Sequence, residues 1–324
     1  MSESGHKRKR SLQDSPVDLL KMRMALSRLE ALKEELDGIQ ETEEELKTIS
    51  AHVLALENIL KSAKKPKVSF STVCAEDLKK AGVTSGRLVF EPAKLSELTE
   101  GLTANTEAEI ADLHSRIKKI YAHVNMDYEA GSRMILDAIL LALAEIASTQ
   151  KRGVAILPEM RIGQGDGVQI SHPDSGYELW LSGSVDYVVI DYEDVRDYKK
   201  RLVGPGGSRQ EVALDISKGR LFLVEAKHQS AEKYLISCIP EAISQGIALL
   251  KSANLPEVRF CLSDGQTWIF FILKLAYGTL TYYESASYRL SRDVLENSDL
   301  PLREIVQLVC EWLRPSTTDL FTLE

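Results

Sequence analysis

From Asp127 onward the chain alternates strongly apolar helical stretches with runs rich in Val, Ile, Tyr and Trp, and few architectures bury both. Between Asp127 and Ser148, the residues Ile135, Leu136, Ile139, Leu140, Leu143 and Ile146 recur at helical spacing. Gly153 to Ile162 and Tyr177 to Asp191 read as strands, the second a long one. The polar segment Tyr192 to Gly219 reads as a mobile loop, and Arg220 to Lys227 as a further strand. A helix to Ala253 follows, restarted at Pro240, whose missing N–H costs nothing in a first turn. Val258 to Leu262 and Thr267 to Leu273 flank Asp264-Gly265, a hairpin signal. Tyr282 and Tyr283 fall in another strand, and Leu302 to Leu313 is a closing helix. This order describes an α/β fold: a mixed central sheet flanked by helices.

The first third has a different character. Residues 1–14 form a Ser-, Lys- and Arg-rich tail expected to be disordered. Its run His6-Lys7-Arg8-Lys9-Arg10 suits a nuclear-localisation patch or a solvated tail, and Lys64-Lys65-Pro66-Lys67 is a second basic cluster. Over residues 15–65 the pattern is helical, with Pro16 in a first turn. Leu32, Ile39, Leu46, Val53 and Leu60 recur every seven residues, flanked by Met22, Leu29 and Leu36 on one side and Ile49 and Leu56 on the other. Such a seam predicts a coiled coil that assembles copies of the chain through residues 15–63. Gly38 and Glu43 interrupt it, so one amphipathic helix, or a hairpin broken near Gly38, is the competing arrangement. Residues 66–105, punctuated by Pro, Gly and Ser, read as a connector with short elements such as Arg87-Leu88-Val89-Phe90. The packed domain is assigned to residues 106–324, starting with a helix from Thr106 to Val124.

Composition removes several classes. The chain has 324 residues, and its longest apolar stretch, Met134 to Ala147, is broken by Asp137 and Glu145, so no membrane span is expected. The polar, basic opening predicts no secretory leader, and a nuclear or cytoplasmic location is expected. Cys74, Cys238, Cys261 and Cys310 stand far apart, which argues for free thiols and against a zinc or disulfide frame. The net charge of −8 argues against a chain coated in positive charge, though not against a local basic groove. Much of the acid excess sits in the helical segment, at Glu30, Glu34, Glu35, Asp37, Glu41, Glu43, Glu44 and Glu45.

Two strand-borne features carry chemistry. In Leu221-Phe222-Leu223-Val224-Glu225-Ala226-Lys227 an apolar strand ends in a carboxylate and an ammonium two residues apart, which strand alternation projects to one face. In Gly183-Ser184-Val185-Asp186-Tyr187-Val188-Val189-Ile190 a lone aspartate interrupts a β-branched and aromatic run, where it needs a partner or a cation. A cross-strand ion pair between Asp186 and Lys227 is the plain alternative. Glu129 heads the buried face of the Asp127 helix, and could equally be an i,i+4 partner of Arg133. Gln245 lies on the helix after the Glu225 strand, one turn from Glu241, where a surface role is the plain alternative.

Taken together, in chain order, Glu129, Asp186, Glu225-Ala226-Lys227 and Gln245 resemble the PD-(D/E)XK nuclease superfamily, the restriction-endonuclease-like fold. The segment Leu262-Ser263-Asp264-Gly265-Gln266-Thr267-Trp268-Ile269-Phe270 is similar to the strand–turn–strand that follows the core there, and the resemblance covers residues 120 to 290. Val185 stands where many members carry proline, and the insertion Tyr192 to Gly219 lengthens the separation of Asp186 from Glu225. The resemblance implies a metal-dependent phosphodiesterase. Asp186, Glu225 and the Ala226 carbonyl would hold Mg²⁺ or Mn²⁺, with Glu129 reaching the ion through water or binding a second one. Lys227 would orient the attacking water or neutralise the phosphate, and Gln245 would place Lys227 or the phosphate backbone.

Such an enzyme needs positive charge for its substrate, DNA before RNA, and Lys199, Lys200, Arg201 and Arg209 are the candidates, with solvated loop charge as the alternative. A nuclease-like module that only binds DNA or protein through the same fold is the competing function. A scaffold in which Glu225 and Lys227 form a merely structural pair is a third.

Overall fold

The computed structural model describes residues 26–34, 43–62, 67–163, 167–172, 175–193, 195–206, 209–227 and 234–324. The basic tail, Lys64 and Lys65, Gly38 and the first turn of the proposed coiled coil lie outside the described residues. Helix α1 covers residues 26–34 and α2 Glu43–Ser62. Leu29 and Val53 are buried whereas Leu32 and Ile49 are exposed, so the seven-residue seam is covered only in part.

The stretch expected as a connector is woven into the sheet. It holds β1 (Lys67–Ser69), α3 (Ala75–Lys80), β2 (Thr84–Phe90) and α4 (Pro92–Thr99). β1 pairs in parallel with β5 and β2 in parallel with β9, although each partner lies far along the chain. Helices α5 (Ala104–His123) and α6 (Glu129–Ala147) follow, then β3 (Arg152–Ile162), β4 (Val168–Ser171) and the long β5 (Glu178–Glu193).

The segment expected as a mobile loop instead contains two helices, α7 (Val195–Val203) and α8 (Gln210–Ser217). Their apolar contacts are sparse among charges. Leu202, Ala213 and Ile216 are buried, with Tyr198 one turn before Leu202, and this short stripe suffices to pin both helices to the sheet. The chain continues through β6 (Leu221–Ala226), α9 (Ile239–Ser252), β7 (Glu257–Ser263), β8 (Thr267–Ala276) and β9 (Thr279–Ser285). It ends with β10 (Tyr288–Arg289), α10 (Arg292–Asn297), α11 (Leu300–Leu313) and β11 (Phe321–Leu323).

Among the described residues the strands form one eleven-stranded mixed sheet whose main path is β1-β5-β6-β7-β8-β9-β2-β11. Strand β6 is buried along its whole length because both faces are covered. Leu221 and Leu223 join the core under α3, α8 and α9, and Phe222 and Val224 join the core under α5, α6 and α11. The sequence-derived α/β class with a mixed sheet flanked by helices is therefore what the chain adopts.

Candidate active site

Along one edge, β5 runs first beside β1 and then beside β6. Its pairing with β1 ends at Ser182 and its pairing with β6 starts at Tyr187, opposite Val224. Asp186 falls in the gap. Asp186 lies one residue beyond the antiparallel pairing, beside the end of β6 that carries Glu225. Asp186 closes the gap with its own side chain, its Oδ2 accepting the Ala226 N–H at 2.8 Å.

Two helices on opposite faces of the sheet supply the remaining groups. From α6, Arg133 donates through Nη2 to Asp186 Oδ1 at 2.6 Å and through Nε to Glu129 Oε1 at 3.0 Å, and its Nη1 lies 3.4 Å from Glu159 Oε1. The start of α6 is held close to the strand ends by tight backbone packing. Gly265, in the β7–β8 turn, has φ 81°, and a Cβ there would come within 2.5 Å of the Ser132 carbonyl oxygen. The turn is stabilised by Asp264 Oδ1, which accepts the Gln266 and Thr267 N–H groups.

From α9, Gln245 donates through Nε2 to Glu225 Oε2 at 2.6 Å. Lys227 Nζ lies 2.5 Å from Glu225 Oε1 and 3.1 Å from Glu241 Oε1. Glu241 and Gln245 are one helical turn apart and therefore share a face. Glu225 is only 2% exposed. Burial, and after it repulsion from Asp186, push its carboxyl well above the usual carboxylate range, with Lys227 opposing the rise. Burial alone would lower the Lys227 ammonium pKa, but Glu225 and Glu241 more than offset it and keep the group protonated.

The structure thus brings Asp186, Glu225, Ala226, Lys227 and Gln245 together, and links Glu129 to them through Arg133. Gln245 donates to Glu225, whereas the resemblance implies a role toward Lys227 or the phosphate backbone. Glu129 is about half exposed and takes the i,i+4 pairing with Arg133. Lys199, Lys200, Arg201 and Arg209 are exposed on and after α7, with Arg201 lying over the Tyr198 ring at 5.7 Å. Helix α7 packs on β3, the strand beside β5.

Three participants escaped the sequence reading. Arg133 was visible only as a partner of Glu129, Glu241 only as a neighbour of Gln245, and Glu159 not at all. Glu159 carries a positive φ of 53°, which no side-chain pattern announces.

Among the described residues no group of three or more His, Cys, Asp or Glu side chains is gathered to hold a metal. Asp186 and Glu225 are therefore the two side-chain donors to weigh, and their hard oxygens suit a partly hydrated Mg²⁺ or Mn²⁺ rather than Zn²⁺. Among the described residues, Arg133 pairs with Glu129, Glu159 and Asp186, and Lys227 pairs with Glu225 and Glu241.

No protein-family model and no curated protein sequence matches the chain, so the functional reading rests on fold and geometry. Among the described residues no helix is long and apolar enough to cross a membrane.

Proposed function

We propose that the chain is a metal-dependent nuclease of the PD-(D/E)XK type, hydrolysing phosphodiester bonds in DNA, or else in RNA. The observation that carries this reading is the joining of Asp186 to the Glu225-Ala226-Lys227 strand end, with Gln245 on Glu225. A divalent cation on Asp186 and Glu225 would supply Lewis-acid polarisation of the phosphate and acidify a bound water. The chain's own groups do the rest. Gln245 fixes the Glu225 rotamer, because its donor occupies one oxygen of a carboxylate that is itself buried. Lys227, protonated and clamped between two carboxylates, presents a positive charge that steadies the phosphorane and orients the water. In this reading the exposed cations Lys199, Lys200, Arg201 and Arg209 serve the substrate backbone. Residues 15–63 would join copies of the chain, and the basic tail would favour a nuclear location.

A second reading has an observation in its favour. Every oxygen of Asp186 and Glu225 already has a protein partner, so the set is self-neutralised and would suit a non-enzymatic DNA- or protein-binding module. Incubation of plasmid DNA with the protein, with and without Mg²⁺ or Mn²⁺, separates the two. The nuclease reading expects metal-dependent cleavage that disappears in both Asp186→Ala and Lys227→Ala. Cleavage untouched by either substitution, or none from the parent protein with either metal, rejects it.

A further inference from the structure

Arg133 is surrounded in a way that a simple structural ion pair does not require. One guanidinium serves three carboxylates from three elements: Glu129 on α6, Glu159 on β3 and Asp186 on β5. The contact to Asp186 is the shortest at 2.6 Å, and the side chain of Asp186 is only 13% exposed against 30% for Arg133. The guanidinium is thus buried at its Asp186 end while the side chain as a whole is still reached by solvent. Glu159 is level with Asp186 in the β3–β5 register, between Pro158↔Tyr187 and Met160↔Val185. Its backbone is left-handed, with φ 53°.

We infer that Arg133 is a phosphate-binding arm, docked on Asp186 until a divalent cation takes that carboxylate. The inference rests on the metal-dependent reading above and adds the group that receives the substrate phosphate. A cation on Asp186 repels the guanidinium and competes for the same oxygen, so the two cannot both hold it at full strength. Released from Asp186, Arg133 keeps its i,i+4 tether to Glu129 and so stays beside the site. Its planar fork then offers a phosphodiester the geometry it had offered a carboxylate. The arrangement explains why a positive charge lies against Asp186, one of the two carboxylates that would hold the metal, and why two further carboxylates surround that charge. They hold Arg133 in place when Asp186 lets go.

The test is calorimetric titration with Mn²⁺ of the parent protein, Arg133→Gln and Arg133→Lys, each first shown to be folded by its thermal melt. Binding of a short duplex DNA in Ca²⁺ is measured alongside, over a range of salt. Removing a charge in contact with Asp186, with partial solvent screening, should tighten Mn²⁺ binding by Arg133→Gln about tenfold. The same variant should bind DNA more weakly, its log–log salt slope reduced by about one. Arg133→Lys, which keeps the charge, should stay near the parent in Mn²⁺ affinity. Equal or weaker Mn²⁺ binding by Arg133→Gln, or an unchanged salt slope, overturns the exchange. Absence of Mn²⁺ uptake by all three proteins overturns the metal-dependent reading and the exchange with it, whereas uptake indifferent to Arg133 overturns the exchange alone.

Discussion

Replacing Lys227 by methionine keeps the apolar stem and removes the charge from a carboxylate with almost no access to solvent. In the parent protein Glu225 is raised to about 8, by burial first and by Asp186 next, and Lys227 works against that rise. Folding therefore takes up a proton at Glu225. The stability this contributes is complete below the unfolded value near 4.5 and is lost as pH climbs through about 8. Without Lys227 the folded value moves higher still. Below about pH 7 Glu225 is protonated in both folded proteins, so Lys227→Met should cost only the contact with Glu241, about 1 kcal/mol. Above about pH 8 the parent ionises and the variant does not. The gap should then widen by up to ~1.4 kcal/mol per pH unit, toward the 3–5 kcal/mol, roughly, of a buried pair that has lost one partner. Urea unfolding at about pH 6 and about pH 9 reads both ends of this curve. A loss equal at both pH values would refute the electrostatic account of Glu225, and adding Glu225→Gln to the variant should flatten the pH dependence.

Other expectations follow from the same contacts. Because Glu225 must ionise to bind a cation, Mn²⁺ uptake below about pH 8 should release a proton, and its apparent affinity should rise up to about tenfold per pH unit between about 6 and 8. Calorimetry in buffers of different ionisation enthalpy counts that proton. Gln245→Leu leaves Glu225 Oε2 without its donor and should lower stability by about 1–3 kcal/mol in urea unfolding. Asp191, at the far end of β5, is fully buried and held by Arg314 at 2.7 Å with Arg152 and Arg220 nearby. Asp191→Ala should therefore destabilise by roughly 3–5 kcal/mol while Mn²⁺ affinity at Asp186 and Glu225 stays unchanged, as calorimetry on the folded fraction would show.

The parts of this fold that could be read from sequence are those in which local pattern and burial agree. Helix α6 shows its apolar stripe directly, and β6 shows the apolar run Leu221 to Val224 closed by Glu225-Ala226-Lys227. The Asp264-Gly265 turn is equally plain, because a positive φ and a side-chain acceptor are both needed there. Strands β1 and β2 carry no local sign of belonging to the sheet, since their pairing to β5 and β9 depends on partners more than 100 residues away. Helices α7 and α8 hide a short apolar stripe beneath charge.

The site divides in the same way. Asp186 and Glu225 are conspicuous because each is a carboxylate inside an apolar strand. The ion-pair partners that tune them are not, because Arg133 and Glu241 look like any charged residue on a helix until the helices dock on either face of the sheet.

The central claim is that Asp186 and Glu225 hold one divalent cation, and anomalous X-ray scattering from crystals soaked in Mn²⁺ tests it most directly. The account predicts a manganese peak bonded to a carboxylate oxygen of Asp186 and one of Glu225, with the Arg133 guanidinium withdrawn from Asp186. Crystals that take up no manganese at that position, with Arg133 still on Asp186, would contradict it.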